Sequence, residues 1–250
     1  MHSLARVGIV LYGAIALTWA VLVFPTFLDQ QKPVSVASAI ERGERYSLNA
    51  LLAAVSAKSQ PAPFGMCNAA AERANMLVLS RILDDPAVAD NRTLRETAQK
   101  RLETATRSLL RCSPSDSLGW LILFWRVIDA NGYSPESGAY LQLSYDTSPN
   151  EAAVAFWRDR LVLQLFDRVP SRFLDLAVPE FVKLLDTERL YPDLGDIFEH
   201  AAPVLQARLA DAMKTAQKKP REVFARMLHD RGVRAVIPDA GSQPERPWNN

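Results

Sequence analysis

Residues 7–28 run without a single charge, as VGIVLYGAIALTWAVLVFPTFL. As a helix rising 1.5 Å per residue, this run is about 33 Å long, enough for a hydrocarbon core of roughly 30 Å. It predicts a membrane-spanning helix, with Pro25 near its end, where a helix can stop or bend. The competing reading is a cleaved signal peptide, with Ala37-Ser38-Ala39 as a small-x-small cleavage site. That site lies far beyond Phe24, with Asp29, Lys32 and Pro33 between, and the apolar run exceeds the usual length of a signal core. An uncleaved anchor is therefore expected. Arg6 stands before the span, and the charges after it cancel in pairs, so the short leader is expected to stay inside and the rest of the chain to face the periplasm.

Beyond the anchor the pattern changes to the spacing of helices with one apolar face. A short helix is expected over residues 47–55, ended by the PAPFG run at 61–65. Cys67, Ala71, Ala74, Val78 and Ile82 step by three or four, and Asp84-Asp85-Pro86 breaks the pattern. Leu94, Ala98, Leu102, Ala105 and Leu109 repeat it, with Cys112 one step further and charges on the remaining surface. Three helix starts follow: Ser113-Pro114, Ser134-Pro135 and Ser148-Pro149, each with serine as N-cap and proline at the first helical position. Glu151 stands where a capping box places its carboxylate. The helices so opened carry Leu118, Leu121, Trp125 and Ile128, then Tyr140, Leu141 and Tyr145, then Val154, Trp157, Leu161 and Leu165. Further helices are expected over 171–187, broken at Pro179, over 193–213, and over 220–230. The tail at 236–250, rich in proline, glycine and asparagine, reads as disordered.

Pro114 and Pro149 stand 35 residues apart, close to the 34-residue period of tetratricopeptide repeats. The fold class expected is all-α: an N-terminal transmembrane helix followed by a TPR-like domain of helical hairpins, an α-solenoid. Its parts are a cytoplasmic leader (1–6), the anchor (7–28), a juxtamembrane connector (29–65), the helical domain (66–235) and the tail (236–250). Ten glycines in 250 residues suit helices better than a sandwich of strands.

Charge narrows the function. All 28 acidic residues and all but one of the 29 basic ones lie after the anchor, which leaves that part formally neutral and speaks against nucleic acid as a partner. One local excess exists, with Lys214, Lys218, Lys219, Arg221, Arg226, Arg231 and Arg234 against Glu222 and Asp230. Its plain reading is a solvated helix face, and its sharper one is contact with an anionic polymer. His2, His200 and His229 have no metal-ligand spacing, and no nucleophile elbow, phosphate loop or dinucleotide fingerprint occurs. No enzyme activity, cofactor or metal is expected.

Cys67 opens one helix of a hairpin and Cys112 closes the next, so folding brings them together. A disulfide is expected in an exported domain, against the alternative of two buried thiols. The aromatic residues at 120, 125, 140, 145 and 157 are expected to be mostly core. Arg126, Tyr133, Arg158 and Arg160 are the candidate interaction residues, since Arg and Tyr are enriched at interface hot spots.

The N-terminal anchor, the two-cysteine hairpin, the run at 113–125 and its continuation through 140–150 and 157–165 resemble a known group. They are similar to membrane-anchored, tetratricopeptide-like accessory proteins of bacterial exopolysaccharide and O-antigen gene clusters. The resemblance covers roughly residues 65–210 and implies a non-enzymatic role in assembling or exporting a surface polysaccharide, by organising other membrane or periplasmic proteins. Two alternatives stay open: an envelope glycan-binding protein or enzyme acting on the polymer, and a general assembly factor of the cell envelope.

Overall fold

The N-terminal helix does not stop where the charges begin. A computed structural model describes residues 2–56, 67–233 and 235–238, with only the backbone at 2–6, 25–27, 29, 30 and 56. In it a single helix, α1 (His2–Glu41), passes through both Pro25 and Pro33. Its window Val7–Phe24 has a mean hydropathy of 2.3 and is only 6 % buried, so the helix is long and apolar enough to cross a membrane. Its last turns are different. Ala37 and Ala39 are buried, and Val34, Val36 and Ile40 pack against core residues. The connector expected from residue 29 therefore begins as part of the fold. The helix ends at Gly43, whose φ of 88° supplies the left-handed cap position and whose N–H donates to the Ile40 carbonyl at 2.9 Å.

The first compact unit, Met1–Arg126, is completed by α2 (Leu48–Ser56), α3 (Ala69–Leu83), α4 (Pro86–Ala89), α5 (Arg92–Cys112) and the start of α6 (Ser117–Asn131). The apolar steps read from the sequence are its core: Ala71, Ala74, Val78 and Ile82 on α3 and Ala98, Leu102, Ala105 and Leu109 on α5 are all buried. The caps are side-chain amides, with Asn68 accepting from the Ala71 N–H and Asn91 from the Leu94 N–H. The PAPFG run at 61–65 lies outside the described residues. The break at Asp84-Asp85-Pro86 holds a turn of helix that periodicity does not reveal, α4, which Asp85 caps through the Ala87 N–H.

Ser113 does not open α6. It closes α5, and Asp116 takes the cap instead, accepting from the Gly119 N–H at 2.8 Å. An ionised acceptor makes the stronger bond, and Arg73 holds it in place from α3 at 2.5 Å.

The second unit, Val127–Asn250, contains α7 (Pro135–Thr147), α8 (Ala152–Gln164), α9 (Ser171–Leu185), α10 (Tyr191–His200), α11 (Pro203–Ala212), a 3-10 turn (Met213–Thr215) and α12 (Lys218–Asp230). Ser134 caps α7 as expected, with Ser137 completing a capping box. Ser148 does not cap α8. Its hydroxyl donates to Glu151 Oε2 at 3.0 Å, and Glu151 makes no side-chain cap bond. Pro179 does not break α9 either. One missing N–H is offset by the burial of Phe173, Ala177, Phe181 and Leu185 along the same face. The single helix expected over 193–213 is two, because Pro203 holds Ala202 extended (ψ 149°) and ends α10. Of the tail expected from residue 236, Val236 is exposed and Ile237 buried, and residues 239–250 lie outside the described residues. Every described regular element is helical, so the all-α expectation holds.

Candidate functional site

Helix α8 carries the most unusual chemistry of the second unit. Val154, Ala155, Arg158, Asp159, Val162 and Leu163 are its buried residues. The stripe expected through Trp157, Leu161 and Leu165 is thus rotated by about one position. An arginine and an aspartate occupy the core face, and Trp157 is left 52 % exposed rather than buried.

Arg158 has no solvent exposure. Its Nε donates to Glu180 Oε2 at 2.9 Å and its Nη2 to Glu180 Oε1 at 2.5 Å. Nη1 donates to the Ser144 carbonyl (2.6 Å) and hydroxyl (3.2 Å), and Nη2 also reaches the Ser148 carbonyl at 3.3 Å. A guanidinium has five N–H groups, and these bonds occupy all of them. The Tyr145 ring lies 4.2 Å from the guanidinium carbon, on its face. Arg158 therefore ties α7, α8 and α9 together and has nothing left to offer a partner. As a contact residue, it is a correction to the sequence reading.

Asp159 is fully buried, and its carboxylate oxygens meet no partner at full hydrogen-bond geometry. Burial raises its affinity for a proton well above the usual carboxylate range. The charge and hydrogen-bonding capacity of nearby Glu180 push the same way, and Arg158 only partly opposes them. One guanidinium cannot neutralise two carboxylates, and Glu180 holds it bidentate. Tyr145 is shifted upward for the same reasons, burial first and then the charges of Asp159 and Glu180.

Unfolding lets Asp159 ionise near its ordinary value of 3.8, releasing a proton that the folded chain keeps. The stability tied to that proton is complete below the ordinary carboxylate range and is lost as pH rises toward the raised folded value. Its limiting slope for one proton is about 1.4 kcal/mol per pH unit. Asp159→Asn, which keeps the shape and removes the proton, should flatten that slope and stabilise the chain at neutral pH. Urea unfolding at several pH values between about 5 and 8 measures it. Parallel slopes for variant and wild type would mean that Asp159 is ionised in the fold.

The remaining candidate residues fall into different settings. Arg126 is buried (8 % exposed), with its guanidinium 5.8 Å from the Trp125 ring centroid, which is a second correction. Tyr133 is half-buried against Gly138, where a Cβ would stand 2.4 Å from its hydroxyl. Arg160 is exposed and lies 5.7 Å from the Trp157 ring. It belongs to the side of α8 turned toward α10, where Phe156, Arg160, Leu163 and Gln164 confront Asp193, Asp196, Ile197 and His200 across an open cleft of about 290 Å³. Both sets have the three-and-four spacing of one helix face. Gly195 helps to set α10, since Met227 and Arg231 of α12 approach to 2.7 and 3.0 Å of where its Cβ would stand.

The basic stretch near the C-terminus is largely spent on internal pairs. Lys214 pairs with Asp211, Lys218 with Glu222, Lys219 with Glu188 and Arg231 with Asp196, while Arg221 is buried and donates to the carbonyls of Met213 and Lys214. The charge available there to an anionic polymer is accordingly much less than the sequence count. Cys67 and Cys112 are joined by a disulfide with Cα atoms 5.5 Å apart.

Glu180 and Asp159 were not singled out from the sequence, though a signal was present. Phe173, Ala177, Glu180, Phe181 and Leu184 form one helical stripe with a single acid in it. A lone carboxylate on an apolar face needs a cation from a neighbouring element. Arg158, at the equivalent place on α8, is that cation. No group of three or more His, Cys, Asp or Glu side chains among the described residues is arranged to hold a metal. No family model, no curated protein and no solved structure matches this chain.

Proposed function

We propose that the protein is a single-pass, membrane-anchored organising protein of the bacterial envelope, with its leader cytoplasmic and both helical units in the periplasm. It works by holding other envelope proteins together, without turnover. One observation carries this reading. Helix α1 exposes an apolar surface that suits lipid at one end and contributes Ala37 and Ala39 to a protein core at the other. Signal cleavage after Ala39 would remove those residues from the core, which favours an uncleaved anchor. The disulfide fits an oxidising compartment. The starts of α6 and α8 are 35 residues apart, a spacing that suits TPR-like helical hairpins, and α3 packs on α5 and α8 on α9, each pair within its own unit. Glu180 is held bidentate by Arg158, Asp159 is fully buried, and neither lines the open cleft of the second unit, so a substrate has no path to either acid there. The resemblance to exopolysaccharide accessory proteins supplies the process: assembly or export of a surface polysaccharide.

The test combines location and contact. Carbonate-washed membranes should retain the full-length chain, with a peptide spanning Ala39 found by mass spectrometry. Photo-crosslinkers at Tyr133 and Arg160 should trap one envelope protein reproducibly in living cells. A mature N-terminus at Ile40 would defeat the anchor. Purified protein that cleaves or transfers glycan, with the activity lost on one carboxylate substitution, would defeat the scaffold.

A further inference from the structure

We propose that the cleft between α8 and α10 binds a neutral, hydroxyl-rich ring, one sugar residue of a glycan. This stands apart from the protein-scaffold reading and would hold if that reading failed. The volume of about 290 Å³ is at the small end for ligand clefts, suited to a single ring rather than a stretch of polypeptide.

Its lining combines an apolar base with polar groups of both kinds. Phe156 is half-buried and stacked edge-on against Trp157, with ring centroids 5.4 Å apart, so it is held in place. Aromatic carbons of this kind suit the C–H face of a pyranose. Around it stand Arg160 as donor, Asp193 as acceptor, and Gln164 as both. These three side chains are exposed, and their polar ends make no hydrogen bond or ion pair to the described residues apart from the arginine's position over Trp157. His200 adds an acceptor. Its Nδ1 lies 2.8 Å from the Asp196 carbonyl, which can only accept, so Nδ1 carries the proton and Nε2 is left with its lone pair in the neutral ring.

Charge balance selects the ligand class. Asp196 is already paired with Arg231 at 2.5 Å, so the charges left to the cleft are Arg160 and Asp193, which cancel. An anion would meet Asp193 and a cation would meet Arg160. A neutral polyol suits both, because each hydroxyl donates and accepts, and planar bidentate groups such as carboxylate, amide and guanidinium match vicinal hydroxyl pairs. Trp157, 52 % exposed and bridged to the cleft by Arg160, offers a second ring for the neighbouring sugar.

The experiment uses the full chain in lipid nanodiscs, which avoids sugar-headed detergents. Fluorescently labelled neutral trisaccharides of glucose, galactose and mannose are titrated beside a trisaccharide of glucuronate and an uncharged tripeptide. At least one neutral trisaccharide should bind saturably. Asp193→Ala and Gln164→Ala should each weaken it, the aspartate by roughly tenfold, since hydrogen bonds to charged groups are the stronger class. Both residues are exposed, and unchanged thermal unfolding verifies that the variants fold. Val204→Ala, an exposed change on α11, should leave binding as it was. Absence of binding by all three neutral sugars at millimolar concentration overturns the proposal. So does binding indifferent to both cleft substitutions, or preference for the glucuronate or the tripeptide.

Discussion

Arg158→Met should lower the stability of the chain by about 3–5 kcal/mol, the range for breaking one partner out of a buried ion pair. The substitution leaves the Glu180 carboxylate nearly buried with its counter-charge gone, and it strips donors from the carbonyls of Ser144 and Ser148. Asp159 also loses the one charge that favoured its ionised form. Arg158→Lys should not rescue the fold, because an ammonium cannot span Glu180, Ser144 and Ser148 in the plane that the guanidinium occupies. The double variant Arg158→Met/Glu180→Met should recover most of the loss, since well-packed apolar groups of similar volume replace such pairs at little cost. Urea unfolding of the full chain in micelles, followed by circular dichroism, reads all four proteins. A double variant no more stable than the single one would show that the two residues do not act as a unit. The practical corollary concerns partner mapping: loss of function at Arg158 would report unfolding, and Arg160, two residues on but exposed, is the informative site.

Loss of the disulfide should have a comparable effect on the first unit. Cys67 and Cys112 are separated by 45 residues. In the chain-entropy account, closing a loop of that length contributes on the order of 4 kcal/mol by restricting the unfolded chain. The bond fastens the start of α3 to the end of α5, the two helices that supply most of the unit's core. Cys67→Ser/Cys112→Ser should therefore unfold at clearly lower denaturant, and reductant should move wild type toward the variant while leaving the variant unmoved. Non-reducing peptide mapping of membrane-extracted protein should recover the two cysteines in one linked peptide. Separate thiol peptides, or equal midpoints with and without reductant, would favour the two-thiol alternative.

The elements most legible in the sequence are those whose stability comes from one continuous apolar stripe. Spacing alone marks helices α3 and α5, because their inner faces carry alanine and aliphatic residues with Met76 and Thr106, and no charge. For helix α8 the spacing gives the helix but not its inner face, since apolarity is the only guide in the sequence and an ion-paired cluster takes that place. Serine–proline pairs are ambiguous by nature. Ser134 caps a helix, whereas Ser113 and Ser148 close the helices before them, because Asp116 and Glu151 lie nearer the true starts. Prolines misled in both directions for a related reason. Pro179 lies where apolar packing outweighs one lost hydrogen bond, and Pro203 follows two alanines that provide little to outweigh it. The cleft was visible only as Arg160. Its other wall lies more than thirty residues away on α10, and no local pattern links the two.

The continuity of α1 has a geometric consequence. No loop separates the stretch that suits the bilayer from the turns locked into the first unit by Ala37 and Ala39, so the two are joined by unbroken helix through Pro25 and Pro33. An α-helix advances 1.5 Å and turns about 100° for each residue. In the membrane-anchored protein proposed above, the number of residues between Phe24 and Val34 would fix both how far the first unit stands off the lipid and which of its sides faces a neighbour in the plane of the membrane. The helix acts less as a tether than as a keyed shaft. Adding or deleting a single residue in that interval would turn the apolar stretch by about 100° against the buried turns and displace Val23, which is buried, from its present packing.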